Sequence, residues 1–190
     1  MKRSIDLLLA LIAAIPLLPL GLVVALAVKL TSRGSALYWS DRVGANERIF
    51  RMPKFRTMKV GTPAVATHLM ADPKSALTPI GGFLRRTSLD EIPQLWSVVA
   101  GEMSFVGPRP ERPQFVSQLE NLLPYYAERH MVKPGITGWA QINYPYGAST
   151  EDARQKLEYD LYYAKNYSPF LDLLILLQTV RVVLWPDGAR

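Results

Sequence analysis

The feature that most constrains this chain is an apolar run at residues 7–28 that contains no ionisable side chain. As a helix it measures roughly 33 Å, enough to cross the hydrocarbon core of a bilayer. Three arrangements suit such a run. A spanning helix would leave Lys2 and Arg3 on one side and Lys29 and Arg33 on the other, a charge pattern with no preferred direction. A signal peptide fits the basic start and the small residues Ala25 and Ala27, although the run is longer than a usual signal core and carries prolines in its middle. A re-entrant hairpin would break the helix at Pro16 and Pro19, loosen it at Gly21, and return both basic ends to one headgroup layer. Prolines are also tolerated in spanning helices, so the residues alone leave spanning and re-entrant forms about even.

After residue 33 the chain reads as a basic, water-soluble body of one domain, so we divide it into an anchor at 1–33 and a globular part at 34–190. A second apolar segment, 170–185, is short for a span and is interrupted by Asp172, Gln178 and Arg181. It reads as a buried core helix or, preferably, an interfacial one with Trp185 at headgroup depth. The formal net charge of +6 favours an anionic partner: nucleic acid, anionic lipid or a phosphorylated metabolite. No nucleic-acid-binding motif appears, which argues against the first. The absence of cysteine excludes disulfides, thiolate metal sites and a cysteine nucleophile. His68 and His130 are too few and too isolated for a histidine-rich metal site or an H-E-x-x-H motif.

Local signals divide the body further. Gly44-Ala45-Asn46 marks the turn of a short hairpin within 38–50, and the Pro/Gly-rich stretch 60–79 reads mostly as loop. A helix over 92–99 should end near Gly101, and 111–132 should form one or two helices broken by Pro124. Gly107-Pro108-Arg109-Pro110 must be extended or turned, and 133–147 reads as loop. Ser149 and Asp152 form the two ends of a capping box opening an amphipathic helix over 150–166. The fold class expected is therefore α+β, mainly helical, with short strands, interfacial amphipathic helices and an N-terminal membrane helix–break–helix.

The most informative stretch is Arg85-Arg86-Thr87-Ser88-Leu89-Asp90-Glu91-Ile92-Pro93. In its plain reading, Ser88 and Glu91 form a capping box and the acids merely suit a first helical turn. Pro93 weakens that version unless the helix starts at Asp90 or later. In its functional reading, guanidiniums at a helix N-terminus hold a phosphate and depress the pKa of Asp90, keeping it ionised as a nucleophile. A Mg2+ ion shared by the acids and a diphosphate would screen the like charges. The two readings are equally supported by residue type. Lys54 and Arg56 share a face if 53–58 is extended, Arg109 is held rigidly between two prolines, and Asp160 in its aromatic helix needs a cation or a ligand. Each basic residue has a plain alternative as a solvated surface charge, and Asp160 as an ordinary salt bridge.

The segments Lys54-Phe55-Arg56-Thr57-Met58, Thr78-Pro79-Ile80-Gly81, the Asp-Glu stretch, Gly101-Glu102-Met103-Ser104-Phe105-Val106-Gly107-Pro108-Arg109-Pro110, Lys133-Pro134-Gly135-Ile136-Thr137-Gly138-Trp139 and Tyr159-Asp160-Leu161-Tyr162-Tyr163 occur in an order that resembles the bacterial sugar transferases. These are monotopic polyprenyl-phosphate phosphoglycosyl transferases, and the resemblance covers the catalytic core. It implies transfer of a sugar-1-phosphate from a UDP-sugar to undecaprenyl phosphate at the cytoplasmic face of the bacterial inner membrane, with release of UMP. It also implies a covalent phosphosugar intermediate on Asp90, Glu91 assisting Asp90 in holding Mg2+, and Lys54, Arg56, Arg85 and Arg109 contacting phosphate or uridine. Asp160 becomes an active-site acid. The implied partners are the UDP-sugar, the polyprenyl phosphate and the phospholipid membrane, with a homodimer left open. The family's re-entrant segment tips the even balance at Pro16 and Pro19 toward the hairpin.

Overall fold

A computed structural model describes residues 2–62, 72, 74–145, 147 and 149–184; His68, Trp185 and much of the expected 60–79 loop lie outside them. The described chain is mainly helical. Its elements are α1 (Lys2–Thr31), β1 (Leu37–Val43), β2 (Ile49–Phe55), α2 (Gly81–Arg86), α3 (Gln94–Ala100), β3 (Ser104–Val106), α4 (Pro113–Leu122), β4 (Gly135–Thr137), α5 (Trp139–Asn143), α6 (Thr150–Asn166) and α7 (Pro169–Leu184). Short 3-10 turns cover Ala45–Glu47, Leu89–Glu91 and Tyr126–Met131.

Helix α1 is long and apolar enough to cross a membrane, and Leu11, Ile15, Leu18, Leu22, Val23 and Leu26 are exposed along it. The backbone stays helical through Pro16 and Pro19, so neither proline unwinds α1 into two separate helices. Each proline removes a single amide donor, and the surrounding leucines and alanines are strong helix formers that carry the helix past both.

By contact the chain forms two compact units, which interleave along the sequence. The first comprises Met1–Asp6, Asp41–Arg51 and Val98–Arg190. Its apolar core gathers Val43, Val116, Leu123, Tyr126 and Leu157 in one cluster and Val106, Tyr163 and Ile175 in another. The first turn of α1 is bonded into this unit by charge. Lys2 Nζ lies 2.5 Å from Asp172 Oδ2 and donates to Tyr163 Oη at 3.0 Å, and Tyr163 donates in turn to Asp172 Oδ1 at 2.6 Å. Arg3 donates to the carbonyls of Val98 and Val99, and buried Asp6 accepts from Ser104 Oγ and the Phe105 amide.

Strands β3 and β4 pair in parallel, Ser104 opposite Gly135 and Val106 opposite Thr137. The backbones meet so closely beyond β3 that a Cβ on Gly107 would fall 2.1 Å from the Lys133 carbonyl oxygen, and one on Gly135 would fall 2.1 Å from the Gly107 nitrogen. Only glycine allows that approach, which brings Pro108 O to the Gly135 amide at 2.9 Å and so sets the course of the Pro108-Arg109-Pro110 loop.

In the second unit, Leu7–Ser40 and Met52–Ser97, Val24 and Val28 of α1 pack with Phe55 and Leu84, flanked by Leu89 and Ile92. Burying each of these side chains contributes about 1.5–3 kcal/mol before entropy is counted. Gly81 opens α2 against the end of β2: a Cβ there would meet the Thr57 carbonyl oxygen at 2.1 Å.

Most local expectations are met. The hairpin turns at Gly44, α3 ends before Gly101, and α4 gives way around Pro124 to the 3-10 turn. The Ser149–Asp152 capping box forms in both directions at the start of α6. The terminal apolar segment is a helix with two faces: Ile175 is fully buried, while Phe170, Leu173, Leu177 and Val180 are exposed. The short parallel pair, one strand of which lies in a stretch read as loop, was not expected.

Candidate active site

The acid pair lies in the second unit, on the 3-10 turn between α2 and α3. The capping-box reading fails here. Ser88 adopts a left-handed backbone conformation (φ 54°) and its side chain caps nothing. Pro93 immediately precedes α3, where its missing amide hydrogen costs no helical bond. Glu91 faces Lys54 instead, with Nζ 2.6 Å from Oε1. Lys54 is presented by β2, and Arg85 by α2, its Nε donating to Thr57 Oγ1 at 3.0 Å. Thr57 O accepts from the Thr78 amide at 2.9 Å, so the same close contact that requires Gly81 positions the Arg85 side chain.

Asp90 is buried, and no other described residue donates a hydrogen bond to its carboxylate. Burial pushes its pKa up, Lys54 pulls it down, Glu91 pushes it up and Arg85 pulls it down; the net direction is upward. The expectation of a depressed pKa is thereby corrected, because loss of water around the carboxylate outweighs the two cations. A partly desolvated carboxylate that is not tied up by donors is a better nucleophile than a well-bonded one. The remedy for its desolvation is nearby positive charge. Replacing Lys54 by methionine therefore raises the Asp90 pKa further, and the acid limb of the pH–kcat/KM profile moves to higher pH, with roughly tenfold or more lost from kcat/KM. An unmoved limb would show that Lys54 does not act on Asp90.

The other candidates are placed differently. Arg56 follows β2 but turns away from the acids: its Nε donates to the Ser35 carbonyl at 2.6 Å and its Nη2 to that of Ser32 at 3.1 Å. It clasps the link between α1 and β1, so the structure does not group it with Lys54. Arg109 and Asp160 belong to the first unit, where sequence reasoning missed the residue that joins them. Arg129 Nη2 lies 2.6 Å from Asp160 Oδ2 and donates to the Arg109 carbonyl at 3.0 Å, while Nη1 donates to Tyr126 Oη at 3.1 Å. Asp160 is therefore in a buried salt bridge, its pKa raised by burial and held back by Arg129. A small cavity of ≈10 Å³ adjoins this network, lined in part by Arg109, Arg129 and His130. The only forewarning of Arg129 was the demand that Asp160 find a cation.

The donor set at the turn suits a hard divalent ion, since both side chains offer carboxylate oxygens and their mutual repulsion contributes to the raised Asp90 pKa. Mg2+ fits these residues. A buried acid with its carboxylate unbonded, a second acid beside it and two cations within electrostatic reach are the groups that chemistry on an anionic, phosphate-bearing substrate would need.

Comparison with known proteins places the chain in a family. The chain belongs to the bacterial sugar transferase family, which it matches over residues 1–186. It is 43% identical over its whole length to the UDP-N-acetylgalactosamine-undecaprenyl-phosphate N-acetylgalactosaminephosphotransferase of Aeromonas hydrophila, covering 45% of that protein. It is 43% identical to the UDP-glucose:undecaprenyl-phosphate glucose-1-phosphate transferase of Xanthomonas campestris pv. campestris, with 96% of this chain and 38% of the relative aligned. An exopolysaccharide production protein of Rhizobium leguminosarum bv. phaseoli is 38% identical, with 95% of this chain and 93% of that protein aligned. The chain thus spans less than half the length of the first two relatives.

Proposed function

We propose that this chain is a phosphoglycosyl transferase that moves a sugar-1-phosphate from a UDP-sugar to a polyprenyl phosphate such as undecaprenyl phosphate. The observation that carries the reading is the Asp90 carboxylate, buried, accepting no hydrogen bond from another described residue, and flanked by Glu91, Lys54 and Arg85. An Asp90 oxygen attacks the phosphorus that bears the sugar; the new P–O bond forms as the bond to UMP breaks, and UMP leaves with the electron pair. An oxygen of the polyprenyl phosphate then attacks the same phosphorus and expels the Asp90 carboxylate, giving polyprenyl diphosphate-sugar. Lys54 and Arg85 draw in the diphosphate and offset its charge. Mg2+, held by Asp90 and Glu91, would supply further charge neutralisation at the diphosphate. Arg109 is a further candidate for a phosphate or uridine contact, with Asp160 acting through Arg129 on its backbone.

The reaction belongs, in this reading, at the cytoplasmic face of the inner membrane, with 1–33 as a re-entrant anchor and 34–190 as the catalytic body. Two features support that topology. The first turn of α1 is bonded to Asp172, Ser104 and Val98, its last turns pack on Phe55 and Leu84, and its middle exposes apolar side chains. The exposed face of α7 suits a helix resting at the lipid surface.

Incubation of the detergent-solubilised protein with a UDP-sugar alone, without lipid acceptor, should release UMP and add one phosphosugar mass to the peptide containing Asp90. EDTA should suppress that release and Mg2+ restore it. Turnover only when donor and acceptor are both present, with no adduct, would reject the two-step route. Cysteines placed before Lys2 and after Arg33 should both react with a reagent applied from the cytoplasmic side; reaction from opposite sides would reject the hairpin.

A further inference from the structure

Away from the acid pair, three side chains distant in sequence converge in the first unit. Glu47 sits in the hairpin turn, Glu120 on α4 and His130 in the 3-10 turn that follows. One potential ligand atom from each lies within 4.8 Å of the other two. Both glutamates are exposed, but His130 is only 6% exposed and neither of its ring nitrogens has a hydrogen-bond partner among the described residues. Its ring is fixed edge-on against Tyr126, with centroids 6.1 Å apart. A buried imidazole with both nitrogens unbonded is costly unless it binds something, and one of its nitrogens lies within 4.8 Å of a carboxylate oxygen of each glutamate.

We propose that Glu47, Glu120 and His130 form a binding site for a divalent transition-metal cation, zinc being the best match. A tetrahedral Zn2+ holds nitrogen and oxygen ligands at about 2.0–2.2 Å, which places them roughly 3.4 Å from one another. The two exposed glutamates need move only a little to close on the fixed imidazole. Three protein ligands leave one position for water. The imidazole selects zinc, cobalt or nickel over Mg2+, which prefers an all-oxygen shell. An entry route exists, since a recess of ≈350 Å³ lined by Asn46, Glu47, Ala127, Glu128, His130 and Met131 opens beside the cluster. An ion here would staple the hairpin turn to α4 and to the segment carrying Arg129, whose guanidinium bonds the Arg109 carbonyl. The proposal does not depend on the transferase reading.

The test uses the full chain in detergent, stripped with EDTA and freed of chelator, then titrated with ZnCl2 by calorimetry and by competition with a zinc-sensitive dye. One equivalent should bind, the thermal midpoint should rise, and a large excess of Mg2+ should not compete. Glu47→Gln and Glu120→Gln, both at exposed positions, should each weaken binding tenfold or more and remove the thermal shift. Zn2+ binding should persist in the Asp90→Asn/Glu91→Gln double variant. Absence of saturable binding, binding unchanged in both single glutamine variants, or binding lost only in the Asp90/Glu91 variant would each overturn the proposal.

Discussion

Asp90→Asn abolishes UMP release while the protein stays folded. The expected fall in kcat is on the order of 10⁴-fold or more, as is found when a covalent nucleophile is removed. Stability moves the other way. Because burial raises the folded-state pKa of Asp90 above its unfolded value, the carboxyl is no burden below the ordinary aspartate range, and stability is lost as pH rises through the folded pKa. Asparagine cannot ionise, so the variant should melt at or above the wild-type temperature at neutral pH and match it in acid. Melts by circular dichroism across pH, alongside a UMP assay, separate the two effects. An inactive variant that also melts well below wild type would assign Asp90 to folding, and a variant retaining UMP release would remove it from the chemistry.

The second large effect concerns Arg129 and Asp160. Arg129→Ala leaves the Asp160 carboxylate buried without its cation, and Asp160→Ala strands the guanidinium; each should cost roughly 3–5 kcal/mol of stability. Replacing both with apolar side chains, as in Arg129→Met/Asp160→Leu, removes both charges together and should recover most of that loss. Activity should not recover with it. The Arg129 fork also bonds the Arg109 carbonyl, and Arg129→Lys, which keeps the charge but loses the fork, should cost less stability than Arg129→Ala yet still lower kcat/KM in the folded protein. Urea unfolding of the four variants with parallel kinetics decides the matter. A double variant as unstable as the singles would refute the pair as the source of the cost, and full activity in Arg129→Lys would refute a positioning role.

Much of the architecture could be read from spacing alone. The capping box at Ser149 and Asp152, the hairpin turn at Gly44 and the break near Pro124 are local signals, and local signals depend on few residues. The acid pair and its Lys54 and Arg85 neighbours were also legible, because each sits in a short segment of unusual composition. What escaped notice depends on distant parts of the chain. Two three-residue strands carry too little pattern to predict their parallel pairing, and Arg129 looks like any helical surface charge until the fold buries it against Asp160. Ser88 was misleading because its spacing to Glu91 suits a cap while its backbone conformation forbids one. Arg56 misled similarly: alternation along β2 predicts a shared face with Lys54, but the strand ends at Phe55 and the guanidinium turns to the Ser32 and Ser35 carbonyls.

The charged first turn of α1 also bears on engineering. Trimming the hydrophobic leader is the obvious route to a water-soluble version, yet Lys2 neutralises Asp172, and Asp6 takes up the Ser104 hydroxyl and the Phe105 amide. Deleting the leader orphans those groups and uncovers Phe55 and Leu84 as well. The greasy segment is therefore part of the folding unit, and a workable soluble form must recolour its exterior rather than cut it away.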